Sequence, residues 1–101
     1  MAEVIVSGSA DADLSQLVDF LIQDEPVAAL ATYDLLLGAL EVLRTYPSIG
    51  RPVDWILREL VISRGGTGYL ALYEYAALAD RVVILALRHQ REAGTLERGA
   101  T

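Results

Sequence analysis

The spacing of apolar positions changes twice along the chain. "EVIVS" (3–7) is a short β-branched run and predicts a first strand. "SGSADADL" (7–14) then places serines and early aspartates where a helix N-terminus takes caps and negative charge. Leu14, Leu17, Val18 and Leu21 follow at i, i+3, i+4 and i+7, one face of that helix. Asp24-Glu25-Pro26 ends it and begins a second, because proline is tolerated at a first helical position. In the second helix Leu30, Tyr33, Leu37 and Leu40 form an apolar stripe, widened by Leu36 and Leu43, to about Arg44. A connection this short predicts an antiparallel helical hairpin.

"YPSIGRPVDW" (46–55), with two prolines and a glycine close together, breaks the helical pattern. Three strand-like runs follow: "ILRELVI" (56–62), "GYLALYEY" (68–75) and "RVVILALRH" (81–89). "SRGGTG" (63–68) reads as a hairpin connection, "AALAD" (76–80) as a short turn, and "AGTLERGAT" (93–101) as a frayed tail. The element order β-α-α-β-β-β predicts an α+β fold. A two-helix hairpin packs on a mainly antiparallel sheet of about four strands that the N-terminal strand joins. With neither repeat nor linker, residues 1–101 read as a single domain.

Composition narrows the class. At 101 residues and 53% hydrophobic, the chain is able to bury a core. No apolar run approaches the roughly 18 residues that span a bilayer and no secretory leader is visible, so a soluble, cytoplasmic protein without a membrane partner is expected. There is no cysteine and one histidine, so neither a metal site nor a cofactor is expected. Net charge is −6, which repels nucleic acid. Charge is uneven: residues 1–43 hold eight acids and no base, and all eight arginines lie in residues 44–101, with no lysine. Arginine's planar fork suits an interface in the second half, and the acidic first half suits a basic protein partner.

The candidate chemistry gathers at "RHQRE" (88–92). Strict alternation puts Val82, Ile84, Ala86 and Arg88 on one face and Val83, Leu85, Leu87 and His89 on the other, unless a bulge intervenes. His89 reads first as a hydrogen-bonded strand-end residue, then as a contact, and last as an acid or base. Arg88 and Arg91 read as solvated charges, paired with Glu92 or Glu59, or as contacts. Arg58 and Glu59 fall on opposite faces, with Arg58 expected on the exposed side. Tyr69, Tyr73 and Tyr75 share a face with Ala71 and suit packing against helices better than an aromatic platform. Trp55 reads as a packing anchor. The acids Asp11, Asp13, Asp19, Asp34 and Glu41 read as a solvated face. "GRP" (50–52) and "RGGTG" (64–68) read as turns rather than phosphate cradles.

Several of these pieces, in order, resemble the RelE/ParE toxin superfamily of bacterial toxin–antitoxin modules, also labelled plasmid stabilisation proteins. "ADADLSQLVDFL" looks like that family's first helix, "PSIGRPV" like its post-helix turn, and "LRELVIS", "GYLALYEY" and "VVILALRHQRE" like its strands. The resemblance covers most of residues 3–92 and lies closer to ParE-like members. It implies a toxin that inhibits DNA gyrase by protein–protein contact and is neutralised by a cognate antitoxin, as a hetero-oligomer or homodimer. No catalytic residue is then required, and Arg58, Arg88, His89 and Arg91 become candidates for target or antitoxin contact.

The alternative it implies is a ribosome-dependent mRNA endoribonuclease of RelE type, with His89 and Arg91 as its catalytic candidates. Leu70 stands where ribosome-dependent relatives often carry arginine, and Thr95 follows "REAG" where a tyrosine is used. RNA cleavage needs a base, an acid and a cationic clamp, and the sequence does not complete that set. A relative that has lost toxicity and only binds antitoxin is the third reading.

Overall fold

The computed structural model describes residues 1–64 and 67–90. Strand β1 (Glu3–Val6) leads into helices α1 (Gly8–Asp24) and α2 (Pro26–Thr45), followed by β2 (Arg51–Pro52), β3 (Leu57–Arg64), β4 (Thr67–Ala76) and β5 (Arg81–His89). The five strands lie in the order β1-β5-β4-β3-β2. β1 runs parallel to β5, and every other pairing is antiparallel. This is the α+β architecture the sequence predicts. β2 is the addition, a two-residue edge that pairs Arg51 with Glu59 and Pro52 with Arg58. Proline fits such an edge because it has no N–H to give.

The helices start and stop where the sequence predicts. The Ser7 hydroxyl accepts from Ala10 N–H at 3.1 Å, and Asp11 sits in the first turn of α1. Glu25 alone separates the helices. Its N–H donates to Leu21 C=O at 2.7 Å, closing α1, and its C=O accepts from Ala29 N–H at 3.0 Å, opening α2. Leu14 is buried and Leu17, Val18 and Leu21 are half-buried, as their spacing requires.

The buried face of α2 differs from the expected stripe. Ala29, Thr32, Leu36, Leu40 and Leu43 face the core, while Leu30 is 72% exposed and Leu37 is exposed beside it. Small residues at 29 and 32 let the helix approach closely, so the stripe is turned from the one the leucines alone suggest. α2 is also long and apolar enough, by length and composition, to cross a membrane, which corrects the expectation that no segment meets that measure. In this fold it is the helix whose Leu36, Leu40 and Leu43 fill the core. Each contributes about 1.5–3 kcal/mol of transfer free energy.

Both helices cover one sheet face. That face carries Ile62 from β3, Tyr69, Ala71 and Tyr73 from β4, and Val82, Ile84 and Leu87 from β5, all buried. The phase of β5 changes along its length. Leu72 pairs with Ala86, but Tyr73 pairs with Ile84, so Leu85 is an extra residue in β5. The faces expected from strict alternation are corrected accordingly: Val82, Ile84, Leu87 and His89 share the core side, and Val83, Ala86 and Arg88 the open side. The open side is mixed and partly solvated: Ile5, Leu57, Val61, Leu70, Leu72 and Val83 are half-buried or exposed there beside Glu59, Glu74 and Arg88.

The β4–β5 turn closes through Asp80 at φ 50°, a left-handed backbone that aspartate tolerates better than branched residues. The Tyr75 hydroxyl donates to Asp80 Oδ1 at 2.8 Å, and Glu3 N–H donates to Asp80 C=O at 3.0 Å. The turn thereby positions the parallel β1 strand.

Candidate functional site

Arg88 and His89 end β5 beside the start of β4 and the middle of α1. Beyond Ile84 the outer edge of β5 has no β1 partner. Asp13 of α1 takes that place: its Oδ2 accepts from Leu87 N–H at 3.0 Å. Its Oδ1 lies 3.8 Å from Arg88 Nη1, a pair half open to water. Such a pair is worth at most about 1 kcal/mol, so Asp13 matters more as the cap on a backbone donor. Asp13, Gln16, Leu17, Phe20, Leu87 and Arg88 line a shallow cavity of about 190 Å³. Phe20 is 66% exposed at its rim.

His89 turns the other way. It pairs across the strands with Tyr69, and their rings meet edge to face with centroids 5.3 Å apart. Tyr69 is buried, so one side of the imidazole rests on the core. By register Arg88 leaves β5 on the open side and His89 on the helix-covered side, although the Arg88 guanidinium reaches back to Asp13 of α1. Among the described residues, Arg88 and His89 thus leave the strand on opposite sides.

Arg58 is not on the exposed side. It pairs with Tyr73 on the core face, and its Nη1 donates to the carbonyls of Ser48 at 3.0 Å and Gly50 at 2.8 Å. A charge at that position is tolerated because the returning chain supplies carbonyl acceptors. Tyr73 completes the same junction. Its buried hydroxyl donates to Pro47 C=O at 2.8 Å and accepts from Gly50 N–H at 2.8 Å. Burial pushes the phenol pKa up. A Cβ on Gly50 would stand 2.5 Å from the Tyr73 hydroxyl, so only glycine passes here. Arg58 and His89 pair with residues four apart on β4, roughly 13 Å along the strand. Arg58 thus belongs to a different cluster from Arg88 and His89.

Other pairings are also reassigned. Glu59 pairs with Arg51, and Arg88 meets Asp13 rather than Glu59. Arg91, Glu92 and the 93–101 tail lie outside the described residues. Asp13 was the residue sequence reasoning missed. It was grouped with the solvated acids, though it is four residues from Leu17 and so borders the buried face. Asp11, Asp19, Asp34 and Glu41 are exposed as expected. Among the described residues no group of three or more His, Cys, Asp or Glu is placed to hold a metal ion.

Residues 4–94 match the family described as the ParE toxin of type II toxin–antitoxin systems, parDE. The chain belongs to the ParE toxin family. Toxin RelE3 of Caulobacter vibrioides is 35% identical over 92 residues, 91% of this chain and 98% of that protein. Toxin RelE1 of the same organism is 37% identical over 89 residues, 88% of this chain and 94% of that protein. Among solved structures, the chromosomal ParDE toxin–antitoxin system of P. aeruginosa superposes with a TM-score of 0.72 at 19% identity. It covers 88% of this chain and 96% of that one, and it bears on the fold alone. The RelBE2 toxin–antitoxin complex of Mycobacterium tuberculosis gives a TM-score of 0.55 at 26% identity, covering 87% and 96%. The chain is therefore a type II toxin of the RelE/ParE superfamily, whose members carry both names.

Proposed function

We propose that this ParE-family toxin acts in the cytoplasm by binding DNA gyrase through protein–protein contact, as the toxin half of a plasmid-stabilisation module. The observation that carries this reading is the match of residues 4–94 to the ParE toxin family. Among the described residues, Arg88 and His89 leave β5 on opposite sides, an arrangement a contact surface tolerates. The net charge of −6 supports the same choice, since a nuclease must approach a polyanion. A cognate antitoxin neutralises the toxin. The half-solvated open side of the sheet, apolar residues interspersed with Glu59 and Glu74, offers the extended surface that a wrapping segment takes.

One observation favours the alternative of a ribosome-dependent endoribonuclease: two relatives at 35% and 37% identity are named RelE toxins. His89 would then carry acid–base chemistry with Arg91. Gyrase supercoiling, set against mRNA cleavage on translating ribosomes, separates the two. The gyrase reading expects the first to respond and the second not to.

A further inference from the structure

β5 outruns the strand beside it. β1 pairs with it from Arg81 to Ile84, and β5 continues to His89. The far side of residues 85–88 is therefore a sheet edge, and such an edge offers backbone groups with which another chain can pair. The edge is not bare. Leu87 N–H points out of the sheet and donates to Asp13 Oδ2 at 3.0 Å. A carboxylate of α1 thus stands where the carbonyl of a neighbouring strand would stand. Among the described residues no other hydrogen bond reaches this side of residues 85–88. The amide, rather than Arg88, fixes the carboxylate: Asp13 Oδ1 lies 3.8 Å from Arg88 Nη1, beyond hydrogen-bond reach.

What this edge would take without its cap follows from its own residues. A two-fold axis through Leu87 sets β5 antiparallel to β5 of a second copy, an isologous contact. Leu87 then faces Leu87 across two reciprocal hydrogen bonds, and Ala86 faces Arg88, so no like charges stand opposite each other. Leu17 and Phe20 line one cavity with Leu87, and Phe20 is 66% exposed, so an apolar contact lies beside the strand. With Asp13 in place, the same approach brings two carboxylates to the axis and strips both from their amides. A charge set against an edge in this way blocks strand pairing.

We propose that Asp13 is an intramolecular guard on the β5 edge: its carboxylate occupies the place of a neighbouring strand and keeps the chain from pairing there with a second copy of itself. The guard acts whichever target the toxin has. Antitoxin-free wild type, Asp13→Ala and Asp13→Asn are compared by size-exclusion chromatography with light scattering and by amide exchange at Leu87, each over a concentration series. Asp13→Ala rises to about twice the wild-type mass at high concentration. Its Leu87 amide exchanges freely when dilute and is protected again as the pair forms. Asparagine keeps an acceptor oxygen, so Asp13→Asn matches wild type in both measurements. Asp13→Ser, whose hydroxyl turns to its own helix backbone, repeats the alanine result and replaces it where the alanine variant does not fold. An alanine or serine variant that keeps the wild-type mass overturns the proposal, as does one that doubles its mass while Leu87 still exchanges freely. So does an asparagine variant that pairs, or a wild type whose Leu87 amide gains protection with concentration.

Discussion

Tyr73→Phe removes one oxygen atom and should cost the fold about 2–3 kcal/mol. The hydroxyl is the acceptor for Gly50 N–H and the donor to Pro47 C=O, both at 2.8 Å. The side chain is completely buried, so water cannot replace the lost partner without displacing packed atoms. Each net hydrogen bond contributes about 1 kcal/mol, and a donor left unpaired in the interior costs about 1–3 kcal/mol. For a domain near this size such a loss lowers the thermal midpoint by roughly 10–15 °C. Urea unfolding followed by far-UV circular dichroism is the assay, because Trp55 is already exposed and its emission reports folding poorly. Gly50→Ala should cost a comparable amount, since its Cβ would lie 2.6 Å from Tyr73 Cε1. The two substitutions act on one junction, so their double mutant should be less destabilised than their sum. A Tyr73→Phe protein within 0.5 kcal/mol of wild type, or strict additivity with Gly50→Ala, would refute the idea that this junction fixes the 46–52 segment.

Asp13→Ala leaves the Leu87 N–H without its acceptor and should cost about 1–2 kcal/mol, with amide exchange at Leu87 rising more than at Val82. Asp80→Asn should be nearly neutral, whereas Asp80→Val, at φ 50°, should cost at least about 1 kcal/mol in chemical denaturation. Alkali should destabilise the protein through Tyr73. Its folded pKa is raised by burial, so the stabilisation is complete below the unfolded phenol value near ~10 and is lost as pH rises through the folded pKa. Tyr73→Phe should flatten that alkaline limb when midpoints are measured across it.

The elements were legible because caps and periods agreed. Ser7, Asp11 and Pro26 mark helix ends by local chemistry, and the strand runs are β-branched. What was illegible has physical causes. α2 is apolar on several sides, so Leu30 and Leu37 outscore Ala29 and Thr32 by size although the smaller pair allows close packing. "VVILAL" is apolar in both phases, so the extra residue at Leu85 leaves no pattern to read. Arg58 lies inward because its acceptors come from residues 48–50, a tertiary meeting no local pattern encodes. Trp55 defeats the expectation that large aromatics are buried, and β2 is two residues long. In the candidate site, Arg88 and His89 were correctly placed on opposite faces, but the bulge puts Val82 and Ile84 with His89 rather than with Arg88.

The most direct test of the central claim is supercoiling by purified DNA gyrase titrated with antitoxin-free toxin. Inhibition accompanied by accumulated cleaved DNA is the predicted result. Unchanged supercoiling at large molar excess, together with codon-positioned mRNA cuts that His89→Ala abolishes, would contradict it.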